Sequence, residues 1–138
     1  MGTIIMEKKI YYSWDDIDWL VETLGRHIVK DCQKNDTTPE ESFKGIYGIP
    51  RGGLVTAVML SHRLNIPFVD RLNDMYGEKF LIVDDIADTG KTIDQMKRID
   101  VYKGAYYATL NYHQQSSHEP EYWVEEKKDD WIVYPWEI

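Results

Sequence analysis

The spacing of hydrophobic and polar positions changes several times along this chain, and each change predicts a new element. Apolar residues recur at helical spacing over 14–32, directly after Ser13, a residue type that caps the first turn of a helix. Three short apolar runs have the length of buried strands: 43–49, 66–69 and 80–83. Helical patterns follow at 54–64 and at 93–99. Strands that alternate with helices predict an α/β fold with a parallel sheet.

The remainder of the chain is richer in aromatic residues. Residues 105–112 have the aromatic and β-branched content of a further strand, and 113–120 form a polar loop. Tyr122–Val124 predicts a small edge strand. The polar segment 35–42 holds Pro39 and predicts a loop.

The stretch that begins at Phe80 carries the most informative chemistry. Its apolar residues lead into Asp84 and Asp85, and the small polar turn Asp88–Thr92 precedes the next helical pattern. Backbone N–H groups at a helix start attract anions, and open α/β sheets bind ligands at the carboxyl ends of their strands. We therefore predict a site for a sugar phosphate together with a metal ion.

A second turn with phosphate-binding chemistry follows the strand predicted at 43–49. Gly52 and Gly53 let the backbone approach a ligand closely, and the guanidinium of Arg51 can bind two phosphate oxygens. A plain glycine-rich turn with a solvated arginine is the alternative interpretation. Beside the Asp84–Thr92 stretch, the turn predicts a second phosphate site at the same sheet edge.

Two known motifs share residues with the Asp84–Thr92 stretch. The ATP-type phosphate loop also ends in Gly-Lys-Thr, but its first glycine falls on Asp85. The second motif is the signature with which type I phosphoribosyltransferases bind phosphoribosyl pyrophosphate (PRPP). Val83–Thr92 resembles that signature at every defining position: an apolar strand, two acidic residues and a D-T-G-x-T turn. PRPP carries a 5′-phosphate and a pyrophosphate, so it needs two anion sites.

The order of motifs along the chain resembles that of the bacterial xanthine–guanine phosphoribosyltransferases. The matching segments are Trp14-Asp15, Lys44–Ile46, the Arg51 turn, Val83–Thr92 and Trp131–Trp136. The resemblance implies the type I phosphoribosyltransferase fold, a parallel twisted sheet flanked by helices, with a reduced hood. It implies a core over about 8–112 and a base-binding hood from about 113–138 with the N-terminus, all within one domain, 1–138. The implied reaction transfers the phosphoribosyl group of PRPP to guanine, xanthine or hypoxanthine in purine salvage.

The same resemblance implies roles for individual residues. Those matched to the ribose hydroxyls and to Mg²⁺ are Asp84 and Asp85. Those matched to the 5′-phosphate are Asp88, Thr89, Gly90, Lys91 and Thr92, with Asp88 also the catalytic proton acceptor near the base. Those matched to pyrophosphate are Arg51, Gly52 and Gly53, beside an expected non-proline cis peptide. Those matched to the purine are Trp131, Ile132 and His113.

Two departures from the family pattern leave alternatives open. The long excursion that closes over the reaction in the family corresponds here to the short segment Arg71–Lys79. The family's lysine that donates to the purine 6-oxo group aligns with His113, which leaves the preferred base open. The alternative to an enzyme is a PRPP- or nucleotide-binding regulatory module that has lost catalysis.

Composition narrows the range of partners and locations. A formal net charge of −8 argues against a nucleic-acid surface, which needs clustered lysine and arginine. No apolar run approaches the ~20 residues of a membrane span. Cys32 is the single cysteine, so no internal disulfide forms. We expect a cytoplasmic protein and, from the resemblance, a homodimer or larger homo-oligomer.

Overall fold

The computed structural model describes residues 8–99 and 103–137. The described helices are α1 Trp14–Lys34, α2 Pro39–Ser42, α3 Gly52–Leu64 and α4 Lys91–Lys97. The four-stranded sheet consists of β2 Ile46–Gly48, β3 Phe80–Ala87, β4 Ala105–His113 and β5 Glu125–Lys127, all parallel and in that order. A separate parallel pair joins β1 Lys9–Tyr11 to β6 Trp131–Val133. Single 3₁₀ turns lie at Leu72–Met75 and Pro135–Glu137. The predicted α/β fold with a parallel sheet is confirmed.

The strand β3 runs through the middle of the core and is buried on both faces. Leu81 and Val83 belong to the hydrophobic cluster that includes α1 and α3. Phe80 and Ile82 belong to the cluster on the opposite face, with Ile93 of α4. Burial on both faces explains why β3 begins as a continuous apolar run, as parallel strands covered by helices usually do. The carboxyl end of β3 is thereby held at the centre of one sheet edge.

Helix α1 starts at the predicted cap and packs one face on the sheet. The Ser13 hydroxyl accepts a hydrogen bond of 3.1 Å from the Asp16 N–H, and the Asp16 carboxylate accepts one of 2.8 Å from the Ser13 N–H. This reciprocal pair satisfies two of the four unpaired N–H groups at the helix start. The buried face comprises Ile17, Leu20, Val21, Leu24 and Ile28. The helical spacing in the sequence therefore marked core residues.

Several predicted elements differ from those of the structure, three of them in kind or place. The segment 66–69 forms a single bridge between Phe68 and Ile46, because Pro67 has no N–H to continue a ladder. The segment predicted as an edge strand at Tyr122–Val124 pairs with β4 through a single bridge between Tyr122 and Ala108, and the regular edge strand is β5, which begins at Glu125. The predicted loop at 35–42 contains the one-turn helix α2, capped by the Thr38 hydroxyl.

The shortened segment 71–79 is packed against the body of the protein. Met75 is buried in the cluster on the α4 face, beside Phe80. A side chain on Gly45 would lie only 2.7 Å from the Met75 sulfur, so Gly45 makes room for this contact. The segment thus covers part of the sheet core.

The ends of the described chain meet in a small hood. Strands β1 and β6 pair in parallel, with Lys9 opposite Trp131 and Tyr11 opposite Val133. Asn111 of β4 joins this hood to the sheet through hydrogen bonds with Tyr12 and Tyr134. No helix within residues 8–99 and 103–137 is long and apolar enough to cross a membrane.

Candidate functional site

The Arg51 turn and the acidic end of β3 meet at one edge of the sheet. An added side chain on Gly52 would lie 2.3 Å from a carboxylate oxygen of Asp85, and one on Gly53 would lie 2.1 Å from the Val83 carbonyl oxygen. Both positions therefore require glycine. The peptide bond between Pro50 and Arg51 is cis, as the resemblance leads us to expect. A cleft of about 590 Å³, here called the arginine cleft, opens between this turn and the hood, with Arg51, Gly52, Asp85, Trp136 and Glu137 in its lining.

The two adjacent carboxyl groups have limited access to water. Asp84 accepts a hydrogen bond of 2.9 Å from the Asp85 N–H, and Asp85 accepts one of 2.8 Å from the Ile86 N–H. Burial, with the neighbouring charge of Asp85, raises the pKa of Asp84 to about 8. Burial also raises the pKa of Asp85. A bound cation would relieve the repulsion between the two groups.

The donor set suits a magnesium ion that is shared with the substrate. Mg²⁺ in proteins usually binds one or two carboxylates and completes its shell with water and substrate phosphates. Across the part of the chain that the structure describes, no group of three or more metal-binding side chains is present. Asp84 and Asp85 are therefore suited to an Mg²⁺ ion that also binds oxygens of the substrate, rather than to an ion enclosed by protein ligands alone.

The polar turn after β3 encloses a small cleft of about 100 Å³, here called the turn cleft. Its lining is Asp84 together with residues 86–93. Gly90 adopts a positive φ of 84°, and an added side chain there would lie 2.4 Å from the Ser117 hydroxyl. The Ser117 N–H donates to the Thr89 carbonyl oxygen at 2.9 Å, and the Ser117 hydroxyl donates to the Asp94 carboxylate in α4. The loop that carries Ser117 therefore holds the turn in shape.

A third cleft, here called the tryptophan cleft, lies between this turn and the hood. Its volume is about 90 Å³, and its lining is Asp85, Ile86, Asp88, Lys127, Trp131, Ile132, Tyr134 and Glu137. It shares Asp85 with the arginine cleft and Asp88 with the turn cleft. The three predicted subsites are thus contiguous around the end of β3.

The purine-binding residues predicted from the resemblance divide into two groups. Trp131 and Ile132 line the tryptophan cleft, Trp131 with about half of its surface exposed and Ile132 buried. His113 is outside that lining, and its Nδ1 accepts a hydrogen bond of 3.2 Å from the Gln115 N–H. Its role in binding the base remains a prediction.

Two charged residues of the site were not predicted from the sequence. Lys127 places its ammonium in the tryptophan cleft, 3.4 Å from Oδ1 of Asp88. Glu137 lines both the arginine and tryptophan clefts, and partial burial with the charge of Asp85 raises its pKa. Neither carries a sequence signal, because β5 is polar and Glu137 sits in an irregular segment.

Similar folds occur among solved purine phosphoribosyltransferases. The enzyme from Pyrococcus horikoshii superposes with a TM-score of 0.77 and 29% sequence identity, over 95% of each chain. The chain has the type I phosphoribosyltransferase fold. Curated relatives include the xanthine-guanine phosphoribosyltransferase of Idiomarina loihiensis, 28% identical over 95% of this chain and 88% of that protein. That of Cereibacter sphaeroides is 29% identical over 96% of this chain and 89% of that protein.

No family model matches the chain. The resemblance to bacterial xanthine–guanine phosphoribosyltransferases is confirmed by these relatives. Within this phosphoribosyltransferase fold, the three clefts lie at the carboxyl edge of the sheet, where open α/β sheets bind their ligands.

Proposed function

We propose that this protein transfers the 5-phosphoribosyl group of PRPP to a 6-oxopurine base and releases pyrophosphate. The single observation that supports it best is the contiguity of three clefts around the carboxyl end of β3. One cleft offers an arginine, one a glycine turn after paired carboxylates, and one a tryptophan platform. A ligand with phosphate groups at both ends of a ribose, and a planar acceptor beside it, matches that arrangement.

Each end of PRPP has a separate anchor in this arrangement. The 5′-phosphate would lie on the turn Thr89–Thr92, with the ribose hydroxyls toward Asp84 and Asp85. The pyrophosphate would lie in the arginine cleft beside Arg51, whose guanidinium can bind two of its oxygens. Mg²⁺ held by the two aspartates would supply positive charge to the pyrophosphate.

The reaction breaks the bond between C1′ and the pyrophosphate oxygen and forms a bond from C1′ to the purine nitrogen. The electron pair of the broken bond leaves with pyrophosphate, where Arg51 stabilises the added charge. The purine lies on Trp131, whose ring forms the exposed wall of the tryptophan cleft. Asp88 faces the same cleft, where it accepts a hydrogen bond from the base or takes up the proton that the base loses.

The regulatory alternative is favoured by one observation, the packed segment 71–79. Met75 fixes this segment to the core, so it does not act as the closing excursion that the family uses. Another segment or subunit would then have to exclude water from the reaction. Self-association and a cytoplasmic location remain part of the proposal.

Enzyme and regulatory module are separated by one assay. The protein is incubated with PRPP, Mg²⁺ and, in separate reactions, guanine, xanthine, hypoxanthine, adenine or uracil. Pyrophosphate release with at least one 6-oxopurine is the expected result. If no base gives pyrophosphate while calorimetry still shows PRPP binding, the protein is a binding module and the enzymatic proposal is wrong.

A further inference from the structure

The lysine in the tryptophan cleft, Lys127, belongs to a different strand from His113, the residue that aligns with the base-binding lysine of the family. Lys127 of β5 is the register partner of His113 on β4. The two side chains therefore start at the same level of the sheet. The imidazole turns toward its own loop, where both ring nitrogens lie within 3.4 Å of Gln115 nitrogens. The lysine instead extends into the cleft.

The surroundings of the Lys127 ammonium are those of a ligand-binding group. Only 12% of its side chain is exposed. Its nitrogen lies 3.4 Å from Oδ1 of Asp88 and 5.8 Å from the centroid of the Trp131 ring. An ammonium has three N–H donors, and Asp88 accepts one of them. A planar base stacked on Trp131 presents its edge to the others.

The chemistry of the ammonium decides which base edge it accepts. An ammonium donates hydrogen bonds and accepts none, so it pairs with an oxygen on the base. An amino group at the same position would point its own N–H donors at a partly buried cation. A site built in this way discriminates strongly, because the mismatched base leaves polar groups without partners.

We propose that Lys127 is the specificity-determining residue for the base and selects 6-oxopurines over 6-aminopurines. The proposal rests on the proposed function. It assigns the base contact predicted for His113 to a residue of the neighbouring strand. Asp88 then has two partners in the complex. One oxygen holds Lys127 in place, and the other is available to the base.

The test uses Lys127→Met, which keeps the length of the side chain and removes its donors. We expect kcat/KM for hypoxanthine to fall about 10- to 150-fold, the usual effect of losing one hydrogen bond to a charged group. We expect that for adenine to stay unchanged or rise, and the KM for PRPP to stay constant. Lys127→Arg, which restores a donor, should recover part of the hypoxanthine activity.

Two further variants make the result decisive. Lys128→Met is the matched control, because Lys128 is exposed and next in the chain, and it should leave both activities unchanged. His113→Ala tests the alternative, in which His113 determines the specificity for the base. A selective loss of hypoxanthine activity in His113→Ala, with Lys127→Met unchanged, overturns the proposal. An equal loss for both bases in Lys127→Met also overturns it, because that is the signature of a structural role.

A separate measurement distinguishes failure of this inference from failure of the proposed function. If the wild-type protein turns over no base, calorimetry with the nucleotides IMP and AMP takes the place of the assay. Tighter binding of IMP that Lys127→Met abolishes supports the role of Lys127 in a binding module. Equal affinity for IMP and AMP in the wild-type protein contradicts it.

Discussion

The phenol of Tyr134 donates a hydrogen bond of 2.8 Å to the side-chain oxygen of Asn111, a residue with no exposed surface. The nitrogen of the same amide donates to the hydroxyl of Tyr12 at 2.9 Å. One buried amide thus joins β4 to the chain on both sides of the hood. Tyr134 also stacks on Trp136, with ring centroids 5.0 Å apart. The position of Tyr134, which lines the tryptophan cleft, therefore depends on the buried amide of Asn111.

Replacement of Asn111 by alanine tests this connection. The change removes the Asn111 partner of the buried Tyr134 hydroxyl and of the half-buried Tyr12 hydroxyl, so we expect the free energy of unfolding to fall by about 1–3 kcal/mol. Urea denaturation measures the loss. Asn73→Ala is the matched control at an exposed position and should change stability by less than about 0.5 kcal/mol. Equal effects of the two variants would contradict the role of Asn111.

The hydrogen bond between Tyr122 and Asp31 predicts how stability depends on pH. The phenol donates to Oδ2 of Asp31 at 2.5 Å, and burial with this hydrogen bond raises the pKa of Tyr122. The folded chain therefore keeps a proton that the unfolded chain loses near pH 10. The stabilisation is complete below pH 10 and decreases as the pH rises further.

Tyr122→Phe should flatten this alkaline decrease. At pH 8 we expect the variant to be about 1.5–3 kcal/mol less stable, the usual value for a hydrogen bond to a charged group. At pH 10.5 the difference from the wild-type protein should narrow. Tyr76→Phe, at a side chain that is 71% exposed, serves as the control and should follow the wild-type curve. A constant difference at both pH values would contradict the assignment.

The contact between Gly52 and Asp85 predicts opposite effects for one substitution at two glycines. Gly52→Ala places a methyl group against the Asp85 carboxylate, so we expect about 1–3 kcal/mol of destabilisation and weaker PRPP binding. Gly25→Ala lies in α1 with its nearest neighbour 3.7 Å away, so it should stabilise by up to about 1 kcal/mol. Thermal unfolding and PRPP calorimetry measure both. Unchanged PRPP affinity in Gly52→Ala would argue against the pyrophosphate role of this turn.

The position of Asp88 between two clefts predicts a separation of rate from binding. Asp88→Asn keeps the shape of the side chain and removes its capacity to accept a proton. We expect the rate of pyrophosphate release to fall about 10²- to 10⁴-fold, with PRPP affinity changed little. Asp74→Asn, at an exposed residue of the segment 71–79, is the control. An unchanged rate in Asp88→Asn would remove this residue from its assigned role.

The sequence predicted the parts of the site that lie on one continuous stretch of chain. The apolar run at Phe80–Val83 marked β3, and the roles of the residues after it are those that the resemblance implies and remain predictions. The strand continues to Ala87, beyond the predicted end, because its backbone pairs with β4 regardless of the polar side chains at Asp84 and Asp85. Here tertiary pairing overrides the local hydrophobic pattern.

The parts that the sequence did not predict depend on register between distant strands. Nothing in the polar triplet Glu125–Lys127 indicates that it pairs with β4, so the position of Lys127 beside Asp88 was invisible. Asn111 was equally hard to place, since a buried amide inside a strand gives no periodic signal. Both become clear only when the partners on other elements are known.

The pairing of β1 with β6 indicates which part of the site can open locally. This ladder spans three residue pairs from opposite ends of the described chain, whereas the turn cleft stands on β3 at the centre of the sheet. Short, non-local pairs exchange their amide hydrogens through local opening, and central strands exchange only on global unfolding. In the proposed complex, the 5′-phosphate would therefore bind beside a central strand. The base would bind beside the hood, where a short non-local ladder is expected to open while the remainder stays folded.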